Sequence, residues 1–143
     1  MKFFSCYDEY LNQESCDFLI KTYKENSDKT FKYYDTEPLE LSSNELTDKI
    51  QFDFNIKSKL SNFQIVKRMK GSYMANHYDE GDDIAFIIYL NDDYIGGHTI
   101  FNDETSIVPK KGRILLFSNG KILHKVSKIT QGTRYILAGW YVK

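Results

Sequence analysis

The histidines are the residues in this chain with the clearest potential for chemistry. His77 and Asp79 stand two positions apart, and in an extended segment side chains with that spacing project from the same face. His124 lies on a later predicted strand, so a sheet that folds over would bring all three side chains to one ion. Two imidazoles and one carboxylate that leave the other positions open favour non-haem iron(II) working with oxygen. The alternative interpretation is a chance His-x-Asp pair and a hydrogen-bonded core histidine.

Arg134 is the second residue with a chemical consequence. It follows His124 by ten positions and begins a strongly apolar segment, residues 135–140. An unpaired guanidinium is costly to bury in such surroundings, so Arg134 requires an anionic partner. A dicarboxylate ligand held close to the metal would provide one, because the planar guanidinium suits bidentate binding of a carboxylate.

Short apolar runs of strand length carry these residues. From residue 63 onward no helical period is present, and turn residues close each run. The runs are 63–69, 84–90, 98–101, 113–117, 123–126 and 134–142. Their regular spacing is typical of a β-sandwich or jelly roll, and an aromatic share of 15% favours a β-rich core over a helical bundle.

Two helices are predicted before these strands. Residues 12–26 begin with Asn12 and continue with apolar residues at the i, i+3, i+4, i+7 spacing of one helical face. A second helix is predicted from Ser42, where Ser42 and Glu45 form a capping box, towards Leu60. A short strand is predicted between the helices at residues 30–34.

Length and charge limit the classes of function. A chain of 143 residues has the length of one domain. Its net charge of -1 gives no electrostatic footprint for nucleic acid or an anionic membrane.

No apolar run approaches a membrane span and the start lacks a signal peptide's apolar stretch, so a cytoplasmic location is predicted. Cys6 and Cys16 are predicted to be thiols, with Cys16 in the core.

Residues 63–143 resemble the catalytic core of iron(II)- and 2-oxoglutarate-dependent dioxygenases, specifically the prolyl 4-hydroxylase-like branch. The resemblance rests on motifs that occur jointly and in order: His77-x-Asp79, Tyr89-Leu90-Asn91, Gly96-Gly97-x-Thr99-x-Phe101, Lys111-Gly112-Arg113, Leu123-His124-x-Val126, Gly132-x-Arg134-Tyr135 and Trp140. It implies an α+β, mainly β fold: a double-stranded β-helix (jelly roll) core with N-terminal supporting helices. Residues 1–143 then form a single domain, with helical support in 1–62 and the catalytic core in 63–143.

The resemblance also assigns roles to individual residues. The iron(II) ligands that it implies are His77, Asp79 and His124. Arg134 would pair with the distal carboxylate of 2-oxoglutarate, Tyr89 would donate its hydroxyl to the same group, and Thr99 is a further candidate for lining that pocket. His98 is excluded as a ligand because it faces away from Thr99, and Trp140 is assigned to the core. Many relatives carry Tyr near the position of Met69, so a contact made by that hydroxyl is missing here.

The implied activity is hydroxylation of a C–H bond, with O2 as oxidant and 2-oxoglutarate converted to succinate and CO2. Ascorbate is a further candidate reductant, and the implied substrate is a prolyl residue in a peptide or protein. One alternative is a free amino acid such as proline, whose carboxylate Arg68 or Lys70 would hold. A second is a nucleic-acid dealkylating oxygenase, which the net charge disfavours. A third is a non-catalytic jelly-roll binding module, against which the intact site residues argue. The acidic segment 80–83 is expected at the mouth of the site.

Overall fold

The computed structural model of the protein describes residues 4–27, 30–31, 35–78, 83–102, 104–118 and 120–143. Two helices lie in these ranges, α1 (Gln13–Ser27) and α2 (Glu45–Asp53). The strands described there are β1 (Phe4–Tyr7), β2 (Thr30–Phe31), β3 (Asp35–Thr36), β4 (Leu39–Glu40), β5 (Lys59–Met69), β6 (Met74–His77), β7 (Ile84–Tyr89), β8 (Thr99–Phe101), β9 (Ser106–Ile107), β10 (Ile114–Phe117), β11 (His124–Val126) and β12 (Thr133–Val142).

The strands form two antiparallel sheets. The large sheet has the order β1-β10-β7-β12-β5-β3-β2, with β4 also paired to β5, and the small sheet has the order β6-β11-β8-β9. The long strands β5 and β12 form the middle of the large sheet, and Arg134 lies opposite Arg68 in their register. This arrangement confirms the predicted mainly β jelly-roll fold.

The large sheet has an apolar core on each of its faces, because side chains alternate between the two faces of a strand. On β12, Tyr135 and Leu137 belong to a cluster that also contains Cys16 and Ile50 from the helices. Residues at alternate positions, such as Ile136, belong to a second cluster with residues of β8 and β10. The second cluster fills the space between the two sheets, which is where the candidate site lies. Both cysteines are free thiols, and Cys16 is buried as predicted.

Helix α1 agrees with the prediction for residues 12–26. The Asn12 side chain accepts a hydrogen bond from the Ser15 backbone N–H at 2.8 Å, as expected of a residue that caps a helix N-terminus. The buried Tyr23 at the other end of the helix donates its hydroxyl to the Glu37 carbonyl at 2.8 Å. In the part of the chain that the structure describes, no helix is both long enough and apolar enough to cross a membrane.

The prediction for α2 is wrong at both ends. The capping residue is Asn44, whose side chain accepts hydrogen bonds from two backbone N–H groups, while the Thr47 hydroxyl accepts one from the Asn44 N–H. The cap therefore lies two residues later than predicted, after a segment whose Leu41 N–H donates to the Phe63 carbonyl of β5. It ends early because Asn55 adopts a left-handed conformation, with φ 52°.

Strands at the sheet edges are the elements that the sequence pattern missed. β6 has two exposed residues at its centre, and β1 and β9 are short, so none of them shows a clear apolar run. The strand predicted at 30–34 contains β2, and its remaining residues lie outside the described part. The segment assigned to helical support also supplies β1 to β4 and the start of β5.

Candidate active site

A cavity of about 310 Å³ lies between the two sheets, a volume within the range of small-molecule sites. Four of the six residues predicted for the site line it: His77, Thr99, His124 and Arg134. Tyr89 is buried behind this lining, and Asp79 lies outside the described residues. Strands β6, β8 and β11 of the small sheet carry the first three lining residues, whereas β12 of the large sheet carries Arg134.

The two histidines are brought together by the pairing of β6 with β11. His77 and His124 are directly opposite in the register of these antiparallel strands, and their ring centroids are 4.3 Å apart. His77 Nδ1 bonds the Ala75 carbonyl at 2.8 Å, and His124 Nδ1 bonds the Ile122 carbonyl at 3.0 Å. A carbonyl can only accept, so each Nδ1 carries the proton. In this tautomer each Nε2 keeps the lone pair that a metal requires.

Packing holds His124 in place. It is only 5% exposed, and its ring meets the edge of Phe117 with centroids 4.8 Å apart. His98, in contrast, does not line the cavity, and its Nδ1 bonds the Ser106 hydroxyl at 3.3 Å. No group of three metal-binding side chains occurs among the described residues. The assignment of His77, His124 and Asp79 as metal ligands therefore stays a prediction, and Asp79 lies outside the described residues.

Arg134 is buried at the cavity wall, with 1% of its surface exposed. Its Nε donates to the Gly97 carbonyl at 3.1 Å, and the guanidinium lies 5.7 Å from the centre of the Tyr89 ring. Within the described residues its Nη2 is buried and has no hydrogen-bond partner. A buried cationic donor without an acceptor is unfavourable, and a carboxylate bound in the cavity would satisfy it.

Tyr89 and Thr99 form a hydroxyl pair that joins the two sheets. Tyr89 on β7 and Thr99 on β8 are fully buried, and their hydroxyl oxygens are 2.9 Å apart. Burial raises the pKa of Tyr89, an effect that the charge of Arg134 opposes. The Tyr89 hydroxyl is therefore neutral at ordinary pH and keeps its proton. Thr99 faces the cavity and Tyr89 stands behind it, so Thr99 is at the cavity wall as predicted, whereas Tyr89 does not line the cavity.

Trp140 and Gly97 belong to the site although the sequence did not place them there. Trp140 is half-buried: it packs against the second cluster, as its assignment to the core predicted, and it also lines the cavity. Its even-numbered position puts it on the same face of β12 as Arg134 and Ile136, so the two-residue period of the strand was the available signal. Gly97 has φ +68°, and a Cβ atom there would lie 2.9 Å from Arg134 Cδ. Its lack of a side chain leaves room for Arg134.

The acidic segment after the first histidine is described only at its end. Asp83 accepts a hydrogen bond from the Ser58 hydroxyl at 2.8 Å, and its N–H donates to the Tyr141 carbonyl at 2.9 Å. Asp83 is therefore anchored to the large sheet. Residues 80–82, which share its expected position at the mouth, lie outside the described residues.

Comparison with known proteins gives one family. Residues 63–142 match the family model described as the 2OG-Fe(II) oxygenase superfamily. Prolyl 3-hydroxylase 2 of Rattus norvegicus is 38% identical over 66 residues, which are 41% of this chain and 9% of that protein. A PKHD-type hydroxylase of Prochlorococcus marinus is 26% identical over 106 residues, 66% of this chain and 48% of that protein. The chain thus spans less than half the length of these relatives.

Solved structures share the fold over nearly the whole chain. The viral collagen prolyl hydroxylase of Paramecium bursaria Chlorella virus-1, in its complex with 2OG, has a TM-score of 0.79 at 24% identity, covering 99% of this chain and 97% of that one. A prolyl hydroxylase of Trichoplax adhaerens, in complex with a hypoxia inducible factor peptide, has a TM-score of 0.75 at 17% identity, covering 98% and 83%. At these identities the likeness establishes the fold.

Proposed function

Because this chain belongs to the 2OG-Fe(II) oxygenase superfamily, we propose that it is an iron(II)- and 2-oxoglutarate-dependent hydroxylase that acts on a prolyl residue of a peptide or protein. One observation carries the proposal. Two histidines with protonated Nδ1 atoms and a buried arginine with an unsatisfied nitrogen line the same cavity. The two histidines suit a metal, and the arginine suits a carboxylate.

The described residues fit the cofactor and co-substrates that the family implies, which are iron(II), 2-oxoglutarate and O2. Bound together, these supply the oxidising power that converts a C–H bond to C–OH, with succinate and CO2 as co-products. His77 and His124 would hold the metal through Nε2, and Asp79 is proposed as the third ligand. The Nδ1 hydrogen bonds to backbone carbonyls fix the planes of both rings and leave Nε2 of each ring as the nitrogen for a metal.

Arg134 is proposed to bind the distal carboxylate of 2-oxoglutarate. Its Nε is fixed by the Gly97 carbonyl, so the remaining guanidinium nitrogens are held in a defined plane. The Thr99 hydroxyl, which lines the cavity, is proposed as a polar partner of the same carboxylate, with the Tyr89 hydroxyl behind it as its hydrogen-bond partner. The two hydroxyls share one hydrogen bond in which either can donate, so Thr99 can turn its proton to the ligand when Tyr89 donates.

Much of the remaining cavity wall is apolar and serves to exclude water, although Gln64, Lys67 and Arg68 of β5 also line the cavity. Phe117, Ile136, Ala138 and Trp140 contribute to it from the large sheet. Water exclusion strengthens the charge interactions of Arg134 and protects a reactive centre from side reactions. The small side chain of Ala138 leaves space in front of this wall for part of a substrate.

A prolyl peptide is the substrate that the similar proteins favour, while Arg68, the side chain that would hold the carboxylate of free proline, also lines the cavity. Trp140, Met74 and Pro38 offer aromatic and apolar surface along the cavity, which matches an uncharged pyrrolidine ring. A proline-rich segment already favours an extended helix, so it loses little entropy on docking. Relatives and structural neighbours are named as prolyl hydroxylases, which supports this substrate over free proline, nucleic acid and a non-catalytic role. A cytoplasmic location stays a prediction.

The test is an anaerobic titration of the protein with iron(II) and 2-oxoglutarate, followed by a succinate-release assay. We expect a weak visible charge-transfer band when both are present, and no band with either one alone. In air, proline-rich peptides should stimulate succinate release more than free L-proline or alkylated single-stranded DNA. Absence of the band would contradict the proposed function. Stimulation by the free amino acid alone would leave the oxygenase in place and contradict the peptide substrate.

Tyr89→Phe is expected to weaken 2-oxoglutarate binding about fivefold, with unchanged iron affinity. The substitution removes one hydrogen bond and leaves the Thr99 hydroxyl without its partner, at a cost of about 1 kcal/mol. Calorimetric titration with 2-oxoglutarate measures the change. Tyr7→Phe, which removes an exposed ring hydroxyl elsewhere, is the matched control and should leave the affinity unchanged. Equal affinities in both variants would exclude Tyr89 from the site.

A further inference from the structure

Two buried polar atoms have no hydrogen-bond partner within the described residues, and they belong to neighbouring side chains. One is Arg134 Nη2 and the other is the Tyr94 hydroxyl oxygen. Buried polar groups in folded proteins are satisfied in the large majority of cases, so each exception needs an explanation. A carboxylate bound in the cavity would be the partner of Arg134 Nη2, but no role described so far involves Tyr94.

Gly97 shows how closely the two side chains approach each other. A Cβ atom on Gly97 would lie 2.9 Å from Arg134 Cδ and 3.1 Å from Tyr94 Cε2. The stem of Arg134 and the ring of Tyr94 therefore pack against the same small patch of backbone. Because Gly97 has no side chain, nothing from this residue separates them.

Tyr94 is also fixed from its other side. A Cβ atom on Gly132 would lie 2.8 Å from Tyr94 Cβ and 3.0 Å from the Asp93 carbonyl oxygen. The adjacent Ile95 exchanges two backbone hydrogen bonds with residues 130 and 131, each 2.9 Å long. Tyr94 is therefore held between two glycines, in the segment that joins β7 to β8. Its ring has a defined position beside Arg134.

Electrostatics keep the Tyr94 hydroxyl neutral. Burial raises the pKa of Tyr94, and the nearby Arg134 guanidinium opposes that effect without reversing it. The hydroxyl therefore keeps its proton at ordinary pH and can both donate and accept. Arg134 also lowers the pKa of Tyr94 as a hydrogen-bond donor within reach, but among the described residues neither the Tyr94 oxygen nor Arg134 Nη2 has the geometry of a formed hydrogen bond.

We propose that Tyr94 is a positioning residue for the co-substrate, which acts by orienting the Arg134 guanidinium. Arg134 Nη2 carries two N–H donors. When a carboxylate occupies the cavity, one donates to the carboxylate and the other to the Tyr94 oxygen, so both unsatisfied atoms gain a partner. Tyr94 does not line the cavity, so it acts through Arg134 and does not contact the ligand. This inference rests on the proposed function, in which the carboxylate is that of 2-oxoglutarate.

Tyr94→Phe is the test, with 2-oxoglutarate affinity, iron affinity and thermal stability measured on the full chain. We expect a five- to tenfold weaker affinity for 2-oxoglutarate in calorimetric titration with iron(II) present under anaerobic conditions. Iron affinity should not change. The melting temperature without ligand should not fall, because the variant removes a buried hydroxyl that has no partner. Unchanged 2-oxoglutarate affinity would overturn the proposal.

Two further variants separate positioning from packing. Tyr141→Phe removes a buried hydroxyl that donates to the Thr47 carbonyl, and neither residue lines the cavity, so it should lower the melting temperature and leave 2-oxoglutarate affinity unchanged. Arg134→Lys replaces the planar guanidinium by a point charge, so adding Tyr94→Phe to it should weaken binding less than twofold. An equal effect of Tyr94→Phe in both backgrounds would overturn the proposal. If the wild-type protein does not bind 2-oxoglutarate, the proposed function fails, and this role with it.

Discussion

His77→Ala is expected to abolish iron(II) binding and turnover while leaving the fold largely intact. Loss of a residue that only orients a ligand costs about 10- to 100-fold in metal affinity, so loss of a ligand should cost more than 100-fold. The fold should survive because His77 lies on the edge strand β6 and belongs to neither apolar cluster. Iron stoichiometry after reconstitution measures the first effect, and circular dichroism measures the second.

His98→Ala is the matched control for this variant. His98 is the one histidine of the chain not assigned to the metal, lies outside the cavity lining and bonds Ser106. Its removal should leave iron stoichiometry at the wild-type value. If both variants keep their iron, the metal site is misplaced, and if both lose it, the loss reflects general damage to the protein.

Arg134→Ala is expected to weaken 2-oxoglutarate binding roughly 100- to 5,000-fold, with a much smaller effect on iron. Removing one partner of a buried charge pair leaves the other charge uncompensated, at a cost of about 3 to 5 kcal/mol, and each 1.4 kcal/mol is about tenfold in affinity. Arg134 is 1% exposed and bonded through Nε, so its position before binding is already fixed. Calorimetric titration in the presence of iron(II) measures the change.

Arg113→Ala is the matched control, because Arg113 forms a surface ion pair with Asp8, with Nε 2.6 Å from the carboxylate. Its loss should change 2-oxoglutarate affinity far less than the loss of Arg134, since exposed pairs contribute about 0 to 1 kcal/mol and Arg113, whose charge acts on Tyr89, does not itself line the cavity. Equal affinities in wild type and Arg134→Ala would remove Arg134 from the co-substrate site.

The elements with strong local patterns could be predicted from the sequence. The apolar runs that became β7, β10 and β12 are each central in the large sheet, where both faces are covered and apolar side chains are continuous. Helix α1 has a clear cap and period. The start of helix α2 was predicted wrongly because Asn44 and Ser42 are both residue types that cap helices. In the structure the helix starts only after the segment in which Leu41 donates a backbone hydrogen bond to β5. That contact links residues 22 positions apart in sequence, so no local pattern contains it.

The candidate site shows the same division. His77, His124, Arg134 and Thr99 were chosen by residue type and motif, and the structure places all four at one cavity. Tyr94 could not be chosen in this way, because its proposed positioning role is inferred from the burial of its hydroxyl beside Arg134. That burial depends on Gly97 and on the packing of distant segments. Residue types can thus suggest which groups do chemistry, whereas the groups that position them depend on contacts between distant parts of the chain.

The division of the site between two sheets has a consequence for the lifetime of the protein. The histidines lie on the small sheet and Arg134 on the large one, so a co-substrate held by both would tie the sheets together. A ligand at 100 times its dissociation constant adds about 2.7 kcal/mol to the free energy of unfolding. A change of that size alters how often the chain opens to proteases, and with it cellular abundance. The supply of 2-oxoglutarate would then set how much of this protein persists, as well as how fast it works.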